Sequence, residues 1–241
     1  MSEDRQTRVL EVRDLRYRYD DGTVALDGVD FDLFEGETVA LLGPNGAGKT
    51  TFVLHLNGLL RGSGSITVAG LKLGAETLTE VRQKVGIVFQ ESDDQLFMPT
   101  VLDDVAFGPL NMGLEPAEAL ARSRWALDTV GMAQAHGRAP YHLSAGEKRR
   151  VAIAGVLAMN PEILVLDEPT TSLDPPGQRA LVDVLERLPQ SKILVTHDPE
   201  LACALARRAV FFDHGRIAAS GKTDEILNRF GWRLRLGARS A

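Results

Sequence analysis

The chain of 241 residues contains a single cysteine, Cys203. One thiol closes no internal disulfide and cages no zinc, which excludes disulfide-stapled scaffolds and zinc fingers. Cys203 itself reads as a small buried apolar residue. Long apolar runs are missing too. The longest, from Val151 to Met159, is far short of the roughly 20 residues that span a bilayer as a helix. The first residues, Met1-Ser-Glu-Asp-Arg-Gln-Thr-Arg8, carry no apolar stretch, so no secretory signal is expected and the chain is expected in the cytoplasm. Nor is there an excess of basic charge. The 27 Lys and Arg against 33 Asp and Glu leave a formal charge of −6, which speaks against a free-standing nucleic-acid binder. No internal repeat and no low-complexity linker interrupts the chain.

What the sequence does have is short apolar runs: Thr38-Val-Ala-Leu-Leu42, Ser65-Ile-Thr-Val68, Val85-Gly-Ile-Val-Phe89, Ile163-Leu-Val-Leu166, Lys192-Ile-Leu-Val-Thr196 and Ala209-Val-Phe-Phe212. Several lack polar alternation, as strands of a parallel sheet covered on both faces do. Helical patterns separate them, over Thr51–Leu60 (stopping near Asn57-Gly58), Glu115–Val130, Ala145–Met159 and Gln178–Leu188. The opening differs. Arg8 to Arg18 alternates, and so does Val29 to Leu33 beyond an Asp21-Gly22 turn, which reads as antiparallel strands with one exposed face. The expected order is antiparallel β, then α/β, then a helix-rich insert over about residues 91–161, then α/β again.

Glycine is abundant, with 23 residues, and its placement is informative. Gly43-Pro-Asn-Gly-Ala-Gly-Lys-Thr50 fits the G-x-x-x-x-G-K-[ST] phosphate loop, between an apolar strand and a helical stretch. In such a loop the backbone N–H groups around Asn45, Gly46 and Gly48 curl about phosphate oxygens, where side chains would obstruct them. The helix N-terminus at Thr50 and Thr51 adds partial positive charge. Lys49 is a point charge for the terminal phosphates, and the Thr50 hydroxyl is a candidate Mg²⁺ ligand. Further on, Ile163-Leu-Val-Leu-Asp167-Glu168-Pro169 sets two carboxylates at a strand end, where open α/β sheets hold their ligands. Asp167 is a candidate Mg²⁺ ligand through water, and Glu168 a candidate general base or polariser of the attacking water.

With these residues in view, the chain resembles the ABC-type ATPases. His142-Leu-Ser-Ala-Gly-Glu-Lys-Arg-Arg150 is similar to their L-S-G-G-Q signature, and Thr170-Thr-Ser-Leu-Asp174 to their D-loop. Thr196-His197-Asp198 resembles the switch histidine and Gln90 the Q-loop glutamine. Tyr19 resembles the adenine-stacking aromatic, with Tyr17 as its competitor. The resemblance runs over about residues 8–227. It implies one P-loop ABC ATPase domain over 1–241, of class α/β: a RecA-like parallel-sheet core, an N-terminal antiparallel β subdomain and an inserted helical subdomain. It implies ATP as substrate and Mg²⁺ as cofactor, the ion held by Thr50, Gln90 and Asp167. It also implies catalytic roles for Glu168, His197 and Gln90. Ser144, Gly146 and Asp174 would act across a head-to-tail dimer, homomeric or heteromeric, because one chain has one phosphate loop and one signature. The sequence departs from the signature at Ala145 and Glu147, where glycine and glutamine are usual. Alanine at a position of positive φ would cost up to about 1 kcal/mol.

Ser92-Asp-Asp-Gln-Leu-Phe97, Asp104-Val-Ala-Phe-Gly-Pro-Leu110 and Gly146-Glu-Lys-Arg-Arg-Val-Ala-Ile-Ala-Gly-Val-Leu157 narrow the resemblance to energy-coupling-factor ATPases, especially cobalt and nickel importers. That implies a transmembrane coupling subunit, a substrate-binding membrane subunit and a peripheral position at the cytoplasmic face of the membrane. Leu96, Phe97 and Met98 are either a docking patch for those partners or residues packed under the insert. The tail over about residues 228–241 has four arginines and no acid in Arg229–Arg239. It is either a contact for a partner or anionic lipid, or a solvated end. The alternative functions are the ATPase of a vitamin-importing complex and a non-transport ABC ATPase.

Overall fold

The computed structural model describes residues 7–90, 95–171 and 173–232. Strands β1 (Arg8–Arg18) and β2 (Val24–Phe34) form the antiparallel hairpin that alternation predicts, closed by a turn in which Tyr19 N–H bonds Thr23 O at 2.9 Å. Strand β4 (Ser63–Val68) pairs antiparallel with β1, and the short β5 (Leu71–Lys72) completes a four-stranded sheet in the order β2-β1-β4-β5. This places Ser65–Val68 outside the parallel sheet. Its Ile66 and Val68 are buried while Ser65 and Thr67 are half-buried, the alternation of a sheet covered on one side.

The second sheet has the order β10-β9-β3-β8-β7-β6. Strands β3 (Thr38–Leu42), β6 (Val85–Val88), β7 (Ile163–Asp167), β8 (Ser191–Val195) and β9 (Arg208–Asp213) are parallel. The expected parallel core is present, with one antiparallel strand added at its edge. Strand β10 (Arg216–Lys222) runs antiparallel to β9, because His214 (φ 46°) and Gly215 (φ 76°) make a two-residue hairpin turn with positive φ at both positions.

Along the parallel strands, neighbouring residues enter different cores. Val39, Leu41, Val165 and Ile193 meet the antiparallel sheet and helix α1 (Lys49–Leu56). Leu164, Leu166 and Leu194 meet α5 (Ala145–Ala158) and α6 (Pro175–Arg187). Helix α2 (Leu78–Lys84) leads directly into β6. Helices α3 (Val101–Asn111) and α4 (Pro116–Thr129) lie with α5 between β6 and β7 in the chain and pack on one another. Helices α7 (Pro199–Leu205) and α8 (Thr223–Arg229) cover β9.

Phe52 of α1 is fully buried, with its ring 5.4 Å from those of Phe31 and Phe212, and so ties the two sheets together. Helix α1 stops at Asn57-Gly58, where the sequence places its end. Its last residue is Leu56, with Gly58 beyond it at φ 69°. Cys203 is exposed, not buried, because on α7 the apolar face is taken by Leu201 and Ala202. Among the described residues no helix is long and apolar enough to cross a membrane.

Candidate nucleotide site

Strand β3 delivers the chain into the loop Gly43–Gly48, and α1 carries it away. Two glycines here answer to protein backbone, not only to phosphate. A Cβ on Gly43 (φ 135°) would lie 2.2 Å from Phe212 O, and one on Gly48 (φ 103°) 2.4 Å from Ala25 O. Gly46 (φ 78°) has open space where its Cβ would be. Lys49 is buried, and its Nζ donates to Gly43 O at 2.7 Å and Pro44 O at 2.9 Å. Burial pulls its pKa down, opposed by the charges of Glu168 and Asp167.

The acids arrive from the neighbouring strands. Asp167 ends β7, and its Oδ2 accepts the Thr50 hydroxyl at 3.2 Å. Burial raises its pKa, with the Thr50 hydrogen bond acting the other way. Glu168 takes a left-handed backbone (φ 46°), rare for a residue with a side chain, and its N–H is held by Val195 O at 2.9 Å. Its Oε1 lies 2.8 Å from His197 Nδ1, while Thr196 Oγ1 is 3.5 Å from Oε2. The pairing of β7 with β8 brings Glu168 and His197 together across 29 positions of sequence. A carboxylate only accepts, so the shared proton assigns Nδ1 as donor and leaves Nε2 for another partner.

Tyr19, Asn45, Gly46, Gly48, Lys49, Thr50, Thr51, Gln90, Asp167 and Glu168 line one cleft of about 360 Å³. Between the two tyrosines, Tyr19 is the one that lines it, and its hydroxyl is 2.9 Å from Thr51 Oγ1. Tyr17 packs on the core, edge-on to His55. Gly43 stands behind the cleft, holding Lys49. His197 opens instead onto an adjoining cavity with Thr170 and Thr171. The donors around Thr50 are a hydroxyl, an amide and carboxylates, all hard oxygens. They suit Mg²⁺ bound mostly by phosphate and water, a few protein oxygens completing the shell.

Ser144, Gly146 and Asp174 lie in a separate cleft of about 480 Å³ with Ala145, Glu147, Leu173 and Arg150. Ser144 caps α5 in a capping box: its Oγ accepts Glu147 N–H at 3.3 Å, and a Glu147 carboxylate oxygen accepts Ser144 N–H at 2.8 Å. Ala145 begins the helix with no positive φ, so the anticipated backbone penalty is absent. Asp174 caps α6 through Gly177 N–H at 2.9 Å. Ser172 of the D-loop motif lies outside the described residues.

Sequence reasoning passed over two residues. The buried Arg149 of α5 donates to Phe89 O at 2.5 Å and to Gln90 O, so the helix that begins at Ser144 grips the backbone of the cleft glutamine. Its signal was a charge on the apolar stripe of Ala152, Ile153 and Val156. Asp104 of α3 is buried, and its Oδ1 accepts the Phe97 and Met98 N–H groups at 3.0 Å each. At that turn the patch divides. Leu96 packs against the helical core, whereas Phe97 is 63% exposed and meets Phe107 edge-to-face at 4.9 Å. Residues 92–94 of the motif lie outside the described residues. So does the basic tail from Arg233, but before it Phe230 stacks on Phe211 at 3.6 Å and Trp232 joins them.

The profile of the ABC transporter family matches residues 26–171. The energy-coupling factor transporter ATP-binding protein EcfA of Methanothermobacter thermautotrophicus is 49% identical over 224 residues, covering 90% of this chain and 72% of its own. The solved structure of cbiO1 from Clostridium perfringens, described as part of the ABC transporter complex cbiONQ, superposes with a TM-score of 0.84 at 36% identity, over 93% of this chain and 92% of that one. The ATP-binding cassette MJ0796, solved as a dimer in a post-hydrolysis state with ADP and Pi, gives 0.79 at 28% identity, over 89% and 98%.

Proposed function

Because this chain belongs to the ABC transporter family as an ATP-binding subunit, and is an ATPase, we propose that it energises an energy-coupling-factor importer of cobalt or nickel ions from the cytoplasmic face of the membrane. The observation that carries the ATPase mechanism is the meeting of phosphate loop, Gln90, Asp167 and Glu168 in one cleft, with Ser144 and Gly146 in another. A chain built this way has two half-sites, each completed by the opposite half-site of one partner subunit in a head-to-tail dimer.

In this reading Tyr19 stacks on adenine. Lys49 exchanges the carbonyls of Gly43 and Pro44 for phosphate oxygens, and the N–H groups of the loop and of α1 hold the rest. Thr50, Gln90 and, through water, Asp167 would hold Mg²⁺, which would supply charge neutralisation on the terminal phosphates. Glu168 accepts the proton of the attacking water. His197, held beside Glu168 by its Nδ1 contact, braces the γ-phosphate through a ring N–H, since a phosphate oxygen only accepts. The partner subunit of a head-to-tail dimer closes the site with its signature helix, and ATP joins the two surfaces until hydrolysis releases them.

The importer reading rests on the kinship with EcfA and on the exposed Phe97–Phe107 pair, which offers a transmembrane coupling subunit an apolar anchor. The metal cargo rests on the resemblance of Gly146–Leu157 to that branch. The test is transport by vesicles carrying this chain with a transmembrane coupling subunit and a substrate-binding membrane subunit. Uptake of Ni²⁺ or Co²⁺ that depends on ATP and vanishes with Glu168→Gln is expected. Uptake of biotin or another vitamin without metal would replace the cargo, and failure to bind any membrane subunit would replace the importer.

A further inference from the structure

The signature departs from the usual pattern in placing an acid, Glu147, in the cleft with Ser144 and Gly146. A carboxylate facing an incoming triphosphate would repel it. The structure shows where that charge goes. One carboxylate oxygen of Glu147 accepts Ser144 N–H at 2.8 Å, and the other accepts Arg138 Nη1 at 2.8 Å. The second arm of Arg138 donates to His142 O at 2.8 Å, so one guanidinium spans the segment that enters α5. The Ser144 N–H and the Arg138 contact together hold the Glu147 carboxyl below the usual range.

The consequence for Ser144 follows from proton counting. Its Oγ already accepts the Glu147 N–H, so the hydroxyl proton is left to be donated to an outside acceptor. The first N–H groups of α5 likewise have no partner within the helix. What the partner's nucleotide meets is a set of donors, provided the acid among them stays turned back and neutralised.

We propose that Arg138 is a positioning residue for the cross-dimer site: it neutralises and pins Glu147, so that the signature end of α5 accepts the γ-phosphate of the ATP bound by the partner subunit. The inference rests on the head-to-tail dimer reading above. A stabilising role for the fold does not account for the pair. The Arg138 and Glu147 side chains are 43% and 26% exposed, and ion pairs so placed contribute little to stability.

The test measures the ATP concentration that drives dimerisation, by size exclusion or light scattering, with Glu168→Gln as the reference chain. Adding Arg138→Ala is expected to raise that concentration on the order of tenfold, the effect of an uncompensated charge near a phosphate in a solvated cleft. ATP binding to the single chain should stay unchanged, because Arg138 lies outside the Lys49 cleft. Adding Glu147→Gln to Arg138→Ala should restore dimerisation, since the amide still accepts Ser144 N–H but carries no charge. Dimerisation unaffected by Arg138→Ala, or not rescued by Glu147→Gln, overturns the inference. So does loss of single-chain ATP binding in Arg138→Ala, which would mark a general structural role. A reference chain that never dimerises with ATP takes down the dimer reading and this inference with it.

Discussion

At the scale of the residue, the roles proposed for Lys49 and Glu168 separate binding from chemistry. Lys49 sits behind the loop on two carbonyls, ready to be exchanged for phosphate. Glu168 is held at φ 46° with its carboxylate on His197. Lys49→Ala is expected to weaken ATP binding at least tenfold, since it removes a charged contact to the phosphates, as equilibrium titration would read. Glu168→Gln should leave that titration nearly unchanged and lower turnover by about 10²–10⁴, the usual share of a general base. Equal turnover in the glutamine variant would dismiss Glu168 as the base. These residues were legible because phosphate chemistry demands particular residue types in sequence order. Arg149 and Asp104 were not, since their partners are backbone groups about 60 and 7 residues away and no local spacing encodes such contacts.

At the scale of the element, the junction of α6 and β8 carries a buried cation. Lys192 is 5% exposed, its Nζ donating to Leu188 O and Gln190 O, and burial lowers its pKa to about 8 from 10.5. Between about pH 8 and 10.5 the unfolded chain binds the proton that the folded chain has released, so stability rises with pH through that window. Below it the fold carries the whole cost of the buried charge, on the order of 3 kcal/mol. Thermal melts should therefore show Tm climbing from pH 8 to 10, and Lys192→Met should flatten that climb. An identical slope in both chains would refute the assignment. The apolar runs announced the parallel strands here, and their bounds fall within a residue or two of the pattern. The antiparallel edge at β10 was hidden because Arg216–Lys222 is half exposed and has no apolar run of its own.

At the scale of the whole molecule, the two clefts predict complementation. Ser144→Arg spoils only the face offered to the partner, and Lys49→Ala only the chain's own loop. Each variant alone should be nearly inactive, whereas an equimolar mixture should regain activity, because mixed dimers contain one intact composite site. Full activity of Ser144→Arg alone, or a silent mixture, would place the whole reaction within one chain. The sequence predicted that division from the presence of one loop and one signature. It did not predict how the halves are held together inside a chain, where Arg149 joins the signature helix to the backbone of Gln90.

The strand order has a consequence for synthesis. Strand β3, which delivers the phosphate loop, pairs with β8 and β9, so Thr38 awaits Lys192 and Val39 awaits Arg208. A ribosome emits the hairpin of β1 and β2 and its neighbour β4 early, and these can pair at once. The loop strand stays without its lateral partners until more than three quarters of the chain has been translated. Contacts so distant in sequence close slowly. A nascent chain stalled before Ser191 is therefore expected to be protease-sensitive and unable to retain ATP, and the nucleotide pocket to be among the last parts of the protein to come into being.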